Sequence, residues 1–96
     1  MAVTVLIARE FKKDSLPKAL EIIVKIRSLA TLEQGYISGQ TMVSLNNANR
    51  IVVMSTWESL GRWQDWQDSE LRKDYTARLD PLTVSLEQVD VLMVLV

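Results

Sequence analysis

The 96-residue chain has neither cysteine nor histidine. Without cysteine there is no disulfide framework and no thiol chemistry. With histidine also missing, the usual zinc and copper ligands are gone, and no metal site or cofactor is expected. The default general base at neutral pH is absent too. Glycine and proline number only 3 and 2, and no repeat, linker or low-complexity segment interrupts the chain. Net charge is almost absent, at −1, and no basic run occurs, so a nucleic-acid partner is not expected. No apolar run approaches the roughly 20 residues of a membrane span. The opening "MAVTVLIAREF" lacks the cationic region and cleavage site of a signal peptide. These absences describe a soluble, cytoplasmic protein.

Apolar residues, by contrast, make up 48% of the chain. One domain spanning 1–96 is expected. A domain this small buries only about 60–65% of its unfolded surface. So much apolar content for so little interior points to a surface covered by a partner.

The patterning gives six main elements. "VTVLIAREF" (3–11) reads as a strand, half-exposed by Arg9 and Glu10. Asp14 or Ser15 can cap a helix with Pro17 in its first turn. Leu16, Ala19, Leu20, Ile23, Ile26 and Ala30 place that helix over about 16–33, with Gly35 as a left-handed stop. "YISGQTMVSL" (36–45) and "RIVVMSTW" (50–57) form a hairpin around "NNAN". On the first of these strands, strict alternation puts Tyr36, Ser38, Gln40 and Met42 on one face. Ser59 and Ser69 read as caps of two short helices, the second closed by Asp80-Pro81. "LTVSLEQVDVLMVLV" reads as a long final strand, apolar on both faces at its end.

Strand, helix, two strands, helical segment and strand make the βαββαβ order of an α+β, ferredoxin-like domain with a four-stranded antiparallel sheet. Helices cover one face of such a sheet, while "IVVM" and "VLMVLV" are apolar on both. A two-fold homodimer, sheet against sheet, solves this, with Val91 or Met93 meeting the partner sheet.

The most specific stretch is "WESLGRWQDWQDSELR" (57–72), which holds all 3 tryptophans. Its frame is W-x-S-x(3)-W-x(2)-W-x(2)-S. Together with "VLIAREFKKDS" and "GYISGQTM", it resembles the antibiotic biosynthesis monooxygenase (ABM) domain of the dimeric α/β-barrel superfamily, over essentially the whole chain. The resemblance implies a homodimeric α/β barrel with a pocket between sheet and helices in each subunit.

One group in that superfamily degrades haem, using a strand Asn, a helix Trp and a His on the iron. Aligned through the W-x-S frame, the Trp falls on Trp66, the His on Thr76 and the Asn near Ile7. The iron ligand is missing, so the resemblance argues against haem degradation. Another group oxidises phenolic substrates to quinones with O₂ and no metal or flavin. It implies a cofactor-independent monooxygenase here, with a small aromatic molecule as ligand. A non-catalytic metabolite-binding protein is the alternative.

The candidate pocket residues are Trp66, Tyr36, Ser38, Met42, Tyr75, Trp63 and Arg72. Trp57 and Trp63 read more simply as core, since large rings bury much area at little entropic cost. Trp66 divides between core and pocket wall. Tyr36, Tyr75, Glu58 or a water are candidate bases, and Arg9, Arg62 or Arg72 could stabilise an anion. The plainer reading of each charged residue is a solvated surface group.

Overall fold

The structure, a computed structural model, describes all 96 residues. It consists of β1 (Val3–Glu10), α1 (Leu16–Ala30), β2 (Tyr36–Val43), β3 (Arg50–Trp57), α2 (Leu60–Gln67), α3 (Glu70–Ala77) and β4 (Gln88–Leu92). A single 3₁₀ turn, Asp80–Leu82, follows α3. The sheet order is β2-β3-β1-β4, every pair antiparallel. This is the ferredoxin-like α+β fold, with one helix layer over one sheet face.

Local chemistry explains most boundaries. Asp14 takes a positive φ of 68° and turns the chain into α1. Pro17 occupies the first turn, but neither Asp14 nor Ser15 supplies the expected side-chain cap. The helix also ends at Ala30, three residues sooner than its periodicity implied. There the N–H groups of Leu32 and Glu33 donate to Leu29 and Ala30, tightening the last turn to 3₁₀ geometry. Ser59 and Ser69 do cap α2 and α3, their hydroxyls accepting from the N–H of Arg62 and Arg72.

Gly35 links α1 to β2 at φ +91°, where an added Cβ would stand 2.5 Å from the Arg62 side chain. Its carbonyl accepts from Glu58 N–H at 2.8 Å. Gly35→Ala is therefore expected to cost at least about 2 kcal/mol, from backbone strain and overpacking together. Urea unfolding checks this, and a loss under about 0.5 kcal/mol would show that the turn re-forms freely.

Alternation along β1 turns Val3, Val5, Ile7 and Arg9 to the helices. Arg9 is thus not the surface group expected of it but 6% exposed. On β3, Ile51, Val53, Ser55 and Trp57 pair opposite these residues and share their face. Two clusters form the core. Val3, Val5, Ile7, Ala30 and the three tryptophans pack one end, and Phe11, Ala19, Ile22, Ile23, Ile51 and Leu79 the other.

Two expectations fail on β2 and β4. A β-bulge breaks the β2–β3 register between Tyr36 and Ser38. One extra residue inverts the alternation beyond it. Tyr36 pairs with Trp57 and faces the helices, whereas Ser38 pairs with Thr56 and Met42 with Val52. Ser38, Gln40 and Met42 therefore lie on the helix-free face, and Tyr36 does not share it with them. β4 is only five residues long, and Met93 to Val96 lie beyond it, exposed. Val91 pairs with Val5 and turns to the helix layer, while Leu92 pairs with Thr4 on the open face. That face joins Leu6, Val52, Met54 and Leu92, with the polar Gln40 and Asp90 among them.

Candidate functional site

The sheet and the helices do not close completely. A cavity of about 40 Å³ remains between them, lined by 13 residues of which nine are hydrophobic. Each element delivers particular groups. β1 contributes Ile7 and Arg9, β3 contributes Val53, Ser55 and Trp57, and the bulge tips in Tyr36. From above, α1 adds Arg27 beside Ile26 and Ala30, α2 adds Trp63 and Trp66, and α3 adds Arg72.

The aromatic wall is rigid. Trp57 meets Tyr36 edge-on, with centroids 5.4 Å apart, and Trp63 at a tilt, 5.9 Å apart. The Trp57 indole N–H donates to Ser55 Oγ at 3.0 Å, so its one polar atom is satisfied inside the core. Trp66 is 3% exposed, as deeply buried as its neighbours. It is a core side chain and a cavity wall at once.

Three guanidinium groups give the cavity its charge. Arg27, in the last turn of α1, donates to the Gly39 carbonyl at 2.7 Å and to Thr41 Oγ1 at 3.1 Å. Arg9 donates from Nε and Nη2 to a single oxygen of Glu87, at 3.1 and 2.7 Å. Arg72 stacks over Trp63, its Cζ 5.3 Å from the ring centroid, with Glu87 Oε1 3.8 Å from Nη2. Burial pushes the Arg72 guanidinium below its ordinary range, partly countered by the Glu87 charge and reinforced by Arg9. Guanidinium is basic enough to stay charged at neutral pH regardless. Two buried cations, Arg9 and Arg72, thus share one carboxylate, and Arg27 adds a third positive charge to the wall.

Of the residues singled out in the sequence, Trp66, Tyr36, Trp63 and Arg72 meet at this cavity. Ser38 and Met42 do not, because the bulge at Ile37 turns them to the opposite face. Tyr75 is also elsewhere, its ring under the Arg78 guanidinium at 4.3 Å. Arg62 packs beside Gly35 and lies 4.0 Å from Asp65, and Glu58 is exposed. Sequence reasoning missed Arg27, Ser55 and Glu87. The Arg9–Glu87 pair spans 78 residues of chain, so no local pattern announces it. No group of three or more His, Cys, Asp or Glu side chains is placed to hold a metal ion. No helix is long and apolar enough to cross a membrane.

Residues 2–78 match the family described as antibiotic biosynthesis monooxygenase. No functionally curated protein matches the sequence. Among solved structures, Rv0793 from Mycobacterium tuberculosis superposes with a TM-score of 0.90 at 18% identity, over 100% of this chain and 97% of that one. SnoaB from Streptomyces nogalater, a cofactor-independent oxygenase, gives 0.87 at 9% identity over 97% and 92%. A conserved protein from Methanosarcina mazei gives 0.89 at 14% identity over 95% and 90%. At these identities the likeness establishes the fold and leaves the chemistry to the side chains.

Proposed function

Because the chain belongs to the antibiotic biosynthesis monooxygenase family, we propose that the cavity binds a small phenolic molecule and directs its oxidation by O₂ to a quinone. The observation that carries this reading is the pairing of three indole walls with an excess of buried guanidinium charge. Indoles suit a flat ring, and guanidinium cations favour the phenolate over the phenol. A phenolate is the electron-rich form that O₂ can oxidise. One oxygen atom enters the ring carbon para to the phenolate, and the other leaves as water. The ring supplies the four electrons, and its own two hydrogens end in the water. The protein's tasks are to hold the ring, keep it ionised and exclude bulk water.

An oxygen electrode tests this. A hydroxynaphthalene or an anthrone-like phenol is expected to raise O₂ consumption in proportion to protein, with the quinone as product. Ligand binding without O₂ uptake would replace this reading with that of a metabolite-binding protein.

We also propose a homodimer, joined through the helix-free sheet face. It is supported by Leu6, Val52, Met54, Met42 and Leu92, which no element of the chain covers. A large apolar patch left in water on a sheet face is rare on monomers.

A further inference from the structure

We infer that Arg9 and Arg72 form a carboxylate-binding subsite, that Glu87 occupies it in the closed form, and that the ligand is an aromatic acid whose carboxylate takes the place of Glu87. This deepens the reading of the cavity as a ligand site and rests on it.

Two guanidinium groups, each on a side chain only 6% exposed, share one carboxylate. Bringing two like charges together in a low dielectric with a single counter-ion leaves one positive charge uncompensated. The deficit falls on Arg72. Its guanidinium donates no hydrogen bond within the chain, and its nearest carboxylate oxygen is 3.8 Å away. Arg9 engages that same carboxylate through one oxygen only. A carboxylate free of the backbone could instead offer one oxygen to each guanidinium at hydrogen-bond distance.

Glu87 is also weakly tethered. Its side chain is 33% exposed, and it sits in the loop before β4 beside Leu86, which is 91% exposed. Its partner Arg9 stands between two spaces. On one side is the indole-walled cavity of about 40 Å³. On the other is an open cleft of about 740 Å³, with Arg9 and Glu87 in its wall. Arg9 lines both. The closed cavity holds a few waters at most, whereas one that admits benzene is about 150 Å³. A ring can enter only if part of the wall moves, and Glu87, paired with Arg9 and Arg72 of that wall, is the group whose departure leaves charges that the incoming molecule itself can neutralise. Exchange of one carboxylate for another keeps the charge balance constant while joining cleft to cavity.

Calorimetric titration with 2-naphthoate and with its neutral isostere 2-naphthamide tests the inference. Wild-type protein should prefer the acid. Glu87→Gln removes the competing charge, keeps the side-chain shape, and should tighten 2-naphthoate by about tenfold. Its effect on 2-naphthamide should stay within about twofold. Arg72→Gln should weaken the acid and spare the amide. If that variant fails to fold, the Glu87→Gln comparison still decides. Equal tightening of both probes, no tightening of the acid, or binding of neither probe to either protein overturns the subsite. The oxygenase reading fails separately. Absent O₂ uptake with preserved acid preference removes the reaction and keeps the subsite. Uptake without acid preference does the reverse.

Discussion

Trp57→Ala is expected to leave the chain largely unfolded near physiological temperature. Trp57 is 0% exposed and is the ring that both Tyr36 and Trp63 pack against. Removing a buried tryptophan costs about 3–5 kcal/mol. A small domain has about 5–15 kcal/mol in all, and a 96-residue chain sits toward the lower end. For domains of this size each kcal/mol moves the thermal midpoint by about 4–8 °C. A drop of about 12–40 °C should therefore appear in thermal unfolding followed by circular dichroism. Trp57→Phe should lose far less, since most of the ring area stays. Its residual penalty comes from Ser55 Oγ, which would be stripped of the indole N–H it now receives. A midpoint shift under about 5 °C for the alanine variant would mean that the neighbouring rings collapse into the space.

The second large effect concerns the open sheet face. Wild-type protein, with a chain mass of 10.9 kDa, is expected to sediment at about twice that mass at micromolar concentration. Met54→Lys should convert it to single chains. Met54 pairs opposite Leu6 at the middle of the uncovered face. In the isolated chain this position is only half-buried, so a lysine there can reach water and the fold survives. In a sheet-to-sheet dimer the two-fold axis brings two such charges into an apolar interface, and an unpaired buried charge costs about 3–5 kcal/mol. Met54→Ala, which adds no charge, serves as the control and should stay dimeric. If Met54→Lys sediments like wild type, the subunits meet elsewhere.

What could be read in advance depended on how far its cause lay along the chain. Ser59 and Ser69 act on backbone within a few residues, so their identity alone located the starts of α2 and α3, and Gly35 marked the turn into β2 although α1 stops short of it, at Ala30. The clustering of Trp63 and Trp66 on one side of α2 was equally legible, because helical spacing dictates it. The faces of β2 were not. "YISGQTMV" suits a strand in either register, and nothing in Ile37 marks it as the unpaired residue. Whether a strand bulges is decided by its partner, here by how Tyr36 seats against Trp57. The final run "VLMVLV" was over-read for a similar reason. Apolar residues permit a strand, but β1 offers backbone partners only as far as Leu92. The acidic member of the cavity cluster was furthest out of reach, since Glu87 acquires meaning only once β4 returns beside β1.

All 3 tryptophans face one space, and none faces the open sheet. The molecule therefore carries an optical label at a single address. Indole emission shifts with the polarity around the ring, so it reports whether the cavity is closed, flooded or filled. The proposed subunit association would take place on the far side of a sheet one layer thick, and should leave that emission unchanged. Two events that most proteins blend into one fluorescence signal are separated here by the thickness of a β-sheet. Emission follows the ligand, and hydrodynamic mass follows the partner.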